Sequence, residues 1–441
     1  MSGAENQNTT ATASSPDNIR RRIEARIGQG EFIAGLLRVA GRESSAVQRS
    51  FVDRLSHIAA MMRDLLEQNG MIRRLSYRPR EFWPQQKGRS IAFIDGGVAN
   101  IDLPSAAPLG IRVGSYIVRP GDETENRERF NIELSLVDDL FSPDGEVFDD
   151  DFIDTAKLRD TARMTSETAA AYRLARSVQP PDIILLHGPL VNPVAPYGLE
   201  GFPSFGQTAC RVFCDDESFD GNEEARQFVA LYLDLLRRIE QTGRPVVGVV
   251  ERSVGRDPVV IRRILNRLQD QQHLKRDEAR DILQEVTTYG LNDSSLFDVV
   301  LEDGEYVTPM AVDRQGPENK WPDRWKQWIR DYPPALTTYL KPSATVVPFR
   351  VEGFESTPDF ESALDLILHT SRLLPSYGFP VGLDIVDKFA KVPAWMSHGV
   401  KGQHQVVLLR KALESGDPRV VTFAKRVLAA KGRDWWFRPS A

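Results

Sequence analysis

Arg89-Ser90-Ile91-Ala92-Phe93-Ile94-Asp95-Gly96-Gly97 is the stretch around which the chain is organised. Ile91 to Ile94 is an unbroken apolar run of strand length, which predicts a buried strand. It delivers one carboxylate, Asp95, and then meets two glycines, where the backbone can turn sharply or approach another group closely. A carboxylate fixed at a strand end beside open backbone is one way to hold a divalent cation. Asp-Gly also opens turns very often. On this stretch alone the turn is the expectation, with the strand breaking at the glycines.

Outward from that strand the pattern is mixed. Residues 111–119 and 130–137 predict two more strands, turn-linked to the first as an antiparallel meander. Residues 155–178 carry helical spacing, with Glu167 in the middle, and stop at Pro180-Pro181-Asp182. Ile183-Ile184-Leu185-Leu186 is a second apolar strand and ends in His187-Gly188-Pro189. An amphipathic helix over 222–241 leads to a third, Val246-Val247-Gly248-Val249-Val250, which ends in Glu251-Arg252. Strand, helix, strand, helix, strand with short connections predicts a parallel portion joined to the meander. Further helices are predicted over 259–284, 360–374 and 382–391, a late strand over 344–351, and a loop over 78–87; segments 403–413 and 418–431 complete the C-terminus. Before the first strand, residues 1–17 are polar and predict a disordered tail. Residues 18–88 predict a helical extension with one long amphipathic helix at 44–68, packed on the domain or used in a dimer contact. Residues 89–441 read as one α/β domain.

Bulk properties exclude several classes. The 441 residues are 41% hydrophobic and 27% charged, an ordinary globular balance. The net charge of -6 does not indicate a broadly basic nucleic-acid binder, although local basic patches or a partner can supply that surface. No apolar run approaches a membrane span, and the N-terminus is polar rather than signal-like. Cys210 and Cys214 are the only cysteines and have no His or third Cys nearby, which fits two small apolar residues of a reduced cytosolic protein.

Asp95, His187 and Glu251 follow three apolar strands, Glu167 lies on a helix between two of them, and Asp384 and Asp387 lie on a late helix. Acids drawn from distant segments to one sheet edge are what two-metal phosphoryl hydrolysis needs, and hard oxygen ligands suit Mg²⁺ or Mn²⁺. Each has a plainer reading. Glu167 can be a solvated helix residue, His187 can hydrogen-bond a turn, and Glu251 can pair with Arg252. Asp384 and Asp387 can answer the helix dipole. Arg252, Arg256, Arg262 and Arg263 can contact phosphates or form a solvated helix face. Trp321, Trp325 and Trp328 can stack on bases or fill a core. No Ser-His-Asp order, GxxxxGK loop or zinc spacing is present.

Taken in order, these segments resemble the NurA family of DNA-end-processing nucleases, in register from about Ile91 to Lys391. The resemblance runs through Ala92-Phe93-Ile94-Asp95-Gly96-Gly97, Glu167, Leu185-Leu186-His187-Gly188-Pro189-Leu190, Val246 to Val250 and Asn292-Asp293-Ser294-Ser295-Leu296-Phe297. It continues through Val347-Pro348-Phe349-Arg350 and Gly378-Phe379-Pro380 to Ala390-Lys391. It implies an RNase H-like, PIWI-related α/β fold, a mixed sheet flanked by helices. It implies Asp95, Glu167, His187 and Asp387 as catalytic ligands of Mn²⁺ or Mg²⁺; beside them, Arg252, Arg256 and Phe379 are the candidate DNA contacts. It further implies a cytoplasmic homodimer, without a membrane anchor, that processes DNA ends with a hexameric HerA-type ATPase translocase. The chain departs from the family in three places. His187 stands where an aspartate is expected, Glu251 follows a strand that usually leads to a lysine, and Phe379 lacks a tyrosine hydroxyl. Asp387 stands where the family can carry histidine. Two functions follow: a working metal-dependent deoxyribonuclease with a rearranged site, or a nuclease-derived subunit that binds translocase and DNA without cutting.

Overall fold

The computed structural model describes residues 20, 21, 24, 45–100, 109–137, 155–190, 204–251, 258–312, 331–374, 377–392 and 394–430. The expected tail, most of the 18–44 helical pattern, Arg252, Arg256, Trp321, Trp325 and Trp328 lie outside them.

Ten strands form one sheet among the described residues. They are β1 (Ile72–Arg74), β2 (Ile91–Asn100), β3 (Leu109–Val118), β4 (Glu128–Val137), β5 (Ile183–His187), β6 (Val246–Val250), β7 (Glu305–Val307), β8 (Met310–Ala311), β9 (Ala335–Leu340) and β10 (Phe349–Phe354). The order is β1-β7-β9-β10-β6-β5-β2-β3-β4, with β8 paired to β9. β2, β3 and β4 form the expected antiparallel meander, while β2, β5 and β6 are parallel neighbours. β10 runs antiparallel to β6 and extends the sheet on that side. This is the expected α/β, RNase H-like arrangement: a mixed sheet with helices on both faces.

Strand alternation sorts the central residues onto the two faces. Ala92, Ile94, Ile184, Leu186 and Val246 enter a core with helices α3 (Thr155–Ala175), α4 (Gln207–Cys214) and α5 (Phe228–Gln241). Ile91, Phe93, Ile183, Leu185, Val247 and Val249 enter the opposite core with α9 (Phe360–Ser371) and α10 (Val381–Ala390). Buried on both faces, β2, β5 and β6 have to be continuously apolar, as the sequence is.

A third core gathers α1 (Ser45–Gln68) with α6 (Val259–Asp270), α7 (Arg276–Thr288) and α8 (Asp293–Val300). Val52, Leu55, Ile58, Ala59, Met62 and Leu66 form the buried side of α1. Its buried Arg63 pairs with Glu305 of β7, and β7 pairs with β1. The long helix therefore packs on the domain, and residues just after it add an edge strand to the same sheet. Cys210 and Cys214 form no disulfide and are both buried, as a pair of small core residues should be.

Several local expectations are corrected. The Asp95 strand does not break at the glycines. β2 continues to Asn100, with Gly96 opposite Val113 and Gly97 opposite Arg112. Residues 79–85 are not loop but helix α2 (Pro79–Gln85), started by Pro79 and anchored by buried Phe82, whose ring stacks on His369 at 3.8 Å. The helix expected over 259–284 is two, parted where Gln272 takes a left-handed φ of 60°. The late strand lies at Phe349–Phe354 rather than 344–351, and Ala335–Leu340 before it was hidden among prolines.

Glycine within β2 has a steric reason. A Cβ on Gly97 would stand 2.2 Å from the carbonyl oxygen of Ala390, at the end of α10. Gly97→Ala should therefore shift backbone and cost about 2 kcal/mol or more. Gly399→Ala, in open space on the Ala394–Glu414 helix, should be neutral or stabilising by up to about 1 kcal/mol. Urea denaturation midpoints of both variants check this, and equal effects would contradict it.

Candidate metal centre

The register of β2 against β5 builds the first half of the site. Ile94 stands opposite Leu186, so Asp95 and His187 come next on adjacent parallel strands. Both share the parity of Phe93 and Leu185 and so face α10. Their side chains meet, with Nδ1 of His187 3.0 Å from Oδ2 of Asp95. The second Asp95 oxygen accepts the Gly96 backbone N–H at 2.8 Å.

α10 supplies the third member. This helix lies against β2 and β3 because Gly97, Gly114 and Gly382 leave it room; Cβ atoms there would meet Ala390, Val386 and Phe93. Asp387 thereby arrives over the strand ends. Ligand atoms of Asp95, His187 and Asp387 all lie within 4.8 Å of one another. Asp95 is buried, while His187 and Asp387 are partly open.

Glu167 comes from the other side of the sheet. It sits on α3, is only 3% exposed, and its Oε1 is 2.8 Å from where a Gly96 Cβ would be. The two glycines thus open opposite faces of one strand: Gly96 admits Glu167, and Gly97 admits the end of α10. Glu167 is outside the three-residue group but close enough that its charge and those of Asp95 and His187 act on one another.

The electrostatics follow from burial. Desolvation, helped by Asp95, pushes the Glu167 carboxyl up to about 7 against the pull of Arg163. Burial by itself would lower the His187 imidazole, but the hydrogen bond and charge of Asp95, with Glu167 and Asp387, outweigh it and raise the group above its usual value. An imidazole beside two carboxylates is a donor set that suits Mn²⁺, and carboxylate oxygens also suit Mg²⁺.

The other candidates are not members of this group. Phe379 is buried, 5.0 Å from the His187 ring and edge-on to Phe349. Arg262 and Arg263 lie on the exposed side of α6. Glu251 follows β6 and is not a member of the group. Asp384 takes a hydrogen bond from Tyr377 and a 2.6 Å ion pair from Lys388.

Sequence reading missed two cations. Arg163 donates to Glu167 at 2.7 Å, and Lys391 pairs with Asp387, each from four residues away along its own chain segment. The i,i+4 spacing was the available signal.

The fold and this cluster define an α/β protein whose parallel strands end in a carboxylate–imidazole group able to hold a divalent cation. A family model described as "NurA domain" matches residues 89–392, so the chain belongs to the NurA nuclease family. The NurA nuclease from Sulfolobus solfataricus is similar over 89% of this chain and 100% of its own, with 13% identity and a TM-score of 0.43. A structure described as NurA with manganese is similar over 82% and 96%, at 11% identity and a TM-score of 0.41. One described as NurA bound to dAMP and manganese covers 79% and 92%, at 14% identity and a TM-score of 0.35. Likeness at this level adds no argument to the family match. No curated protein matches the chain significantly.

The raised groups set a pH dependence for the metal-free protein. Folded Glu167 keeps its proton up to about pH 7, whereas an unfolded glutamate loses it near 4.5, so stability falls as pH rises through that window. His187 acts in the same direction: its stabilisation is complete below 6.5 and is lost as pH rises through the higher folded value. The melting temperature in chelator should fall from pH 5 to pH 8, and Glu167→Gln should flatten the fall. A rise over that range, unchanged by the substitution, would contradict the assignment.

Proposed function

We propose that the chain is a metal-dependent deoxyribonuclease that holds Mn²⁺ or Mg²⁺ at Asp95, His187 and Asp387 on one side and Glu167 on the other. The observation that carries this reading is the convergence of the first three within 4.8 Å, from segments nearly 300 residues apart. When bound, the cation supplies Lewis-acid stabilisation of the phosphate and activation of a water. The chain's own groups do the rest. Asp95 is fixed by the strand and by the Gly96 N–H. His187 is oriented by Asp95 and by the Phe379 ring, so Phe379 acts as support for the imidazole rather than as a DNA contact. Glu167, whose carboxyl is pushed up to about 7 in the metal-free protein, would give up its proton to a bound cation. Hydrolysis adds water across one P–O bond; the attacking oxygen loses a proton and the leaving oxygen gains one.

The finer reading rests on family membership. It is exonuclease action of 5′-to-3′ polarity, single-strand endonuclease action, or both, on DNA ends, in repair or in defence against phage. The chain would act in the cytoplasm as a homodimer with a HerA-type hexameric translocase. The net charge of -6 suits a nuclease fed its DNA by a partner. Among the described residues no helix is long and apolar enough to cross a membrane. Residues 89–441 would form the nuclease domain, with 18–88 as its extension.

One observation favours the non-cutting alternative. His187 and Asp95 satisfy each other directly, as an ordinary ion pair does without any cation.

Mn²⁺-dependent cleavage of single-stranded and duplex DNA separates the two. Asp95→Ala should lower it by about a hundredfold or more, if the metal contributes a few kcal/mol to the transition state. His187→Asp with Asp387→His together should retain more activity than either alone, because the pair exchanges donors across one cluster. Equal background cleavage by wild type and Asp95→Ala would leave the alternative standing.

A further inference from the structure

Two cations rest on the site's two helix-borne carboxylates, one on each face of the sheet. On the α3 face, Arg163 donates to buried Glu167 at 2.7 Å. On the α10 face, Lys391 pairs with Asp387 and also feels the charges of Asp95 and Asp384. Both head groups reach solvent: Arg163 is 30% exposed and Lys391 68%.

Their positions are fixed by backbone rather than by the pairs. The Lys391 Cα lies 3.2 Å from where a Gly97 Cβ would be, and its carbonyl accepts a 3.0 Å hydrogen bond from Arg112. Arg163 is one helical turn before Glu167 on a helix that packs along β2. Backbone holds both residues at the strand end, and each carries its head group on a long stem.

Resting on the metal-site reading above, we infer that Arg163 and Lys391 are the phosphate-anchoring cations of this site, stored on Glu167 and Asp387 until a divalent ion takes those carboxylates. A cation entering between the carboxylates repels both head groups, as like charges a few ångströms apart do. Released there, the ammonium lies on the α10 face and the guanidinium on the α3 face of the strand that carries Asp95. A phosphodiester hydrolysed at this strand end needs donors for its non-bridging oxygens, and both groups are established phosphate partners.

The control is on the same helix. Lys388 pairs with Asp384 in the same i,i+4 geometry and at the same 68% exposure, but outside the three-residue cluster. Removing it tests simple loss of positive charge.

Calorimetric titration of Mn²⁺ into the DNA-free full-length protein reads the storage step. Arg163→Met and Lys391→Met should each tighten Mn²⁺ binding about three- to tenfold, by removing a charge a few ångströms from a divalent ion. Lys388→Met should stay within about twofold of wild type. In cleavage of a single-stranded oligonucleotide, both Met variants should lose about tenfold or more in kcat/KM, with partial rescue by Lys391→Arg and Arg163→Lys. Should Arg163→Met fail to fold with Glu167 left unpaired, the Lys391 arm decides. Unchanged or weaker Mn²⁺ binding in Lys391→Met, or equal tightening in Lys388→Met, overturns the inference while wild-type binding and cleavage keep the nuclease reading intact. Absence of Mn²⁺ binding and cleavage in the wild type overturns both.

Discussion

Everything at the strand end depends on how closely two helices approach one strand. At Gly96 and Gly97 the backbone of β2 has no side chain on either face. The Glu167 side chain fills one side, and the last carbonyl of α10 presses on the other at distances no Cβ could share. Close packing of this kind is bistable rather than adjustable, because interiors have no spare volume. It fixes where Asp387 and Lys391 come down, and it sets Glu167 beside Asp95 while keeping it on the far side of the sheet. The glycines are used here for what they lack, not for a turn.

Steric closeness forces an electrostatic solution. Three carboxylates and an imidazole lie at one strand end, and Asp95 and Glu167 are almost wholly buried. Uncompensated, such charges are costly, so the site neutralises itself: Glu167 by a raised proton affinity and Arg163, Asp387 by Lys391, Asp95 by His187. The same groups are what a divalent ion would need. A site that balances its own charges and one that can exchange them for a cation have the same composition, and the difference lies in whether the balancing cations can move. Arg163 and Lys391, long and partly exposed, can.

Much of this was legible in the sequence, for physical reasons that differ by element. β2, β5 and β6 are buried on both faces, and continuous apolar runs announce that. Because the residue after each run is polar, Asp95 and His187 could be picked out without knowing that they touch. Their contact needed the parallel register, which no local pattern encodes. Asp387 was found through family order; its spacing from Asp384 did not say which of the two faces the strand end. Gly96-Gly97 was misread as a turn because glycine's two uses, positive φ and absent Cβ, look identical in one dimension. The break at Gln272 and the strand at Ala335–Leu340 were missed because neither carries the glycine or alternation that marks such features.

The central claim is that Asp95, His187 and Asp387 form one metal site, with an imidazole where an acid was expected. The most direct measurement is electron spin-echo spectroscopy of Mn²⁺ bound to the protein with its histidines labelled with nitrogen-15. The account expects a nitrogen coupling from one directly bound imidazole, lost in His187→Ala and retained in variants of the other histidines. Bound Mn²⁺ with no histidine coupling, or a coupling that survives His187→Ala, would contradict it.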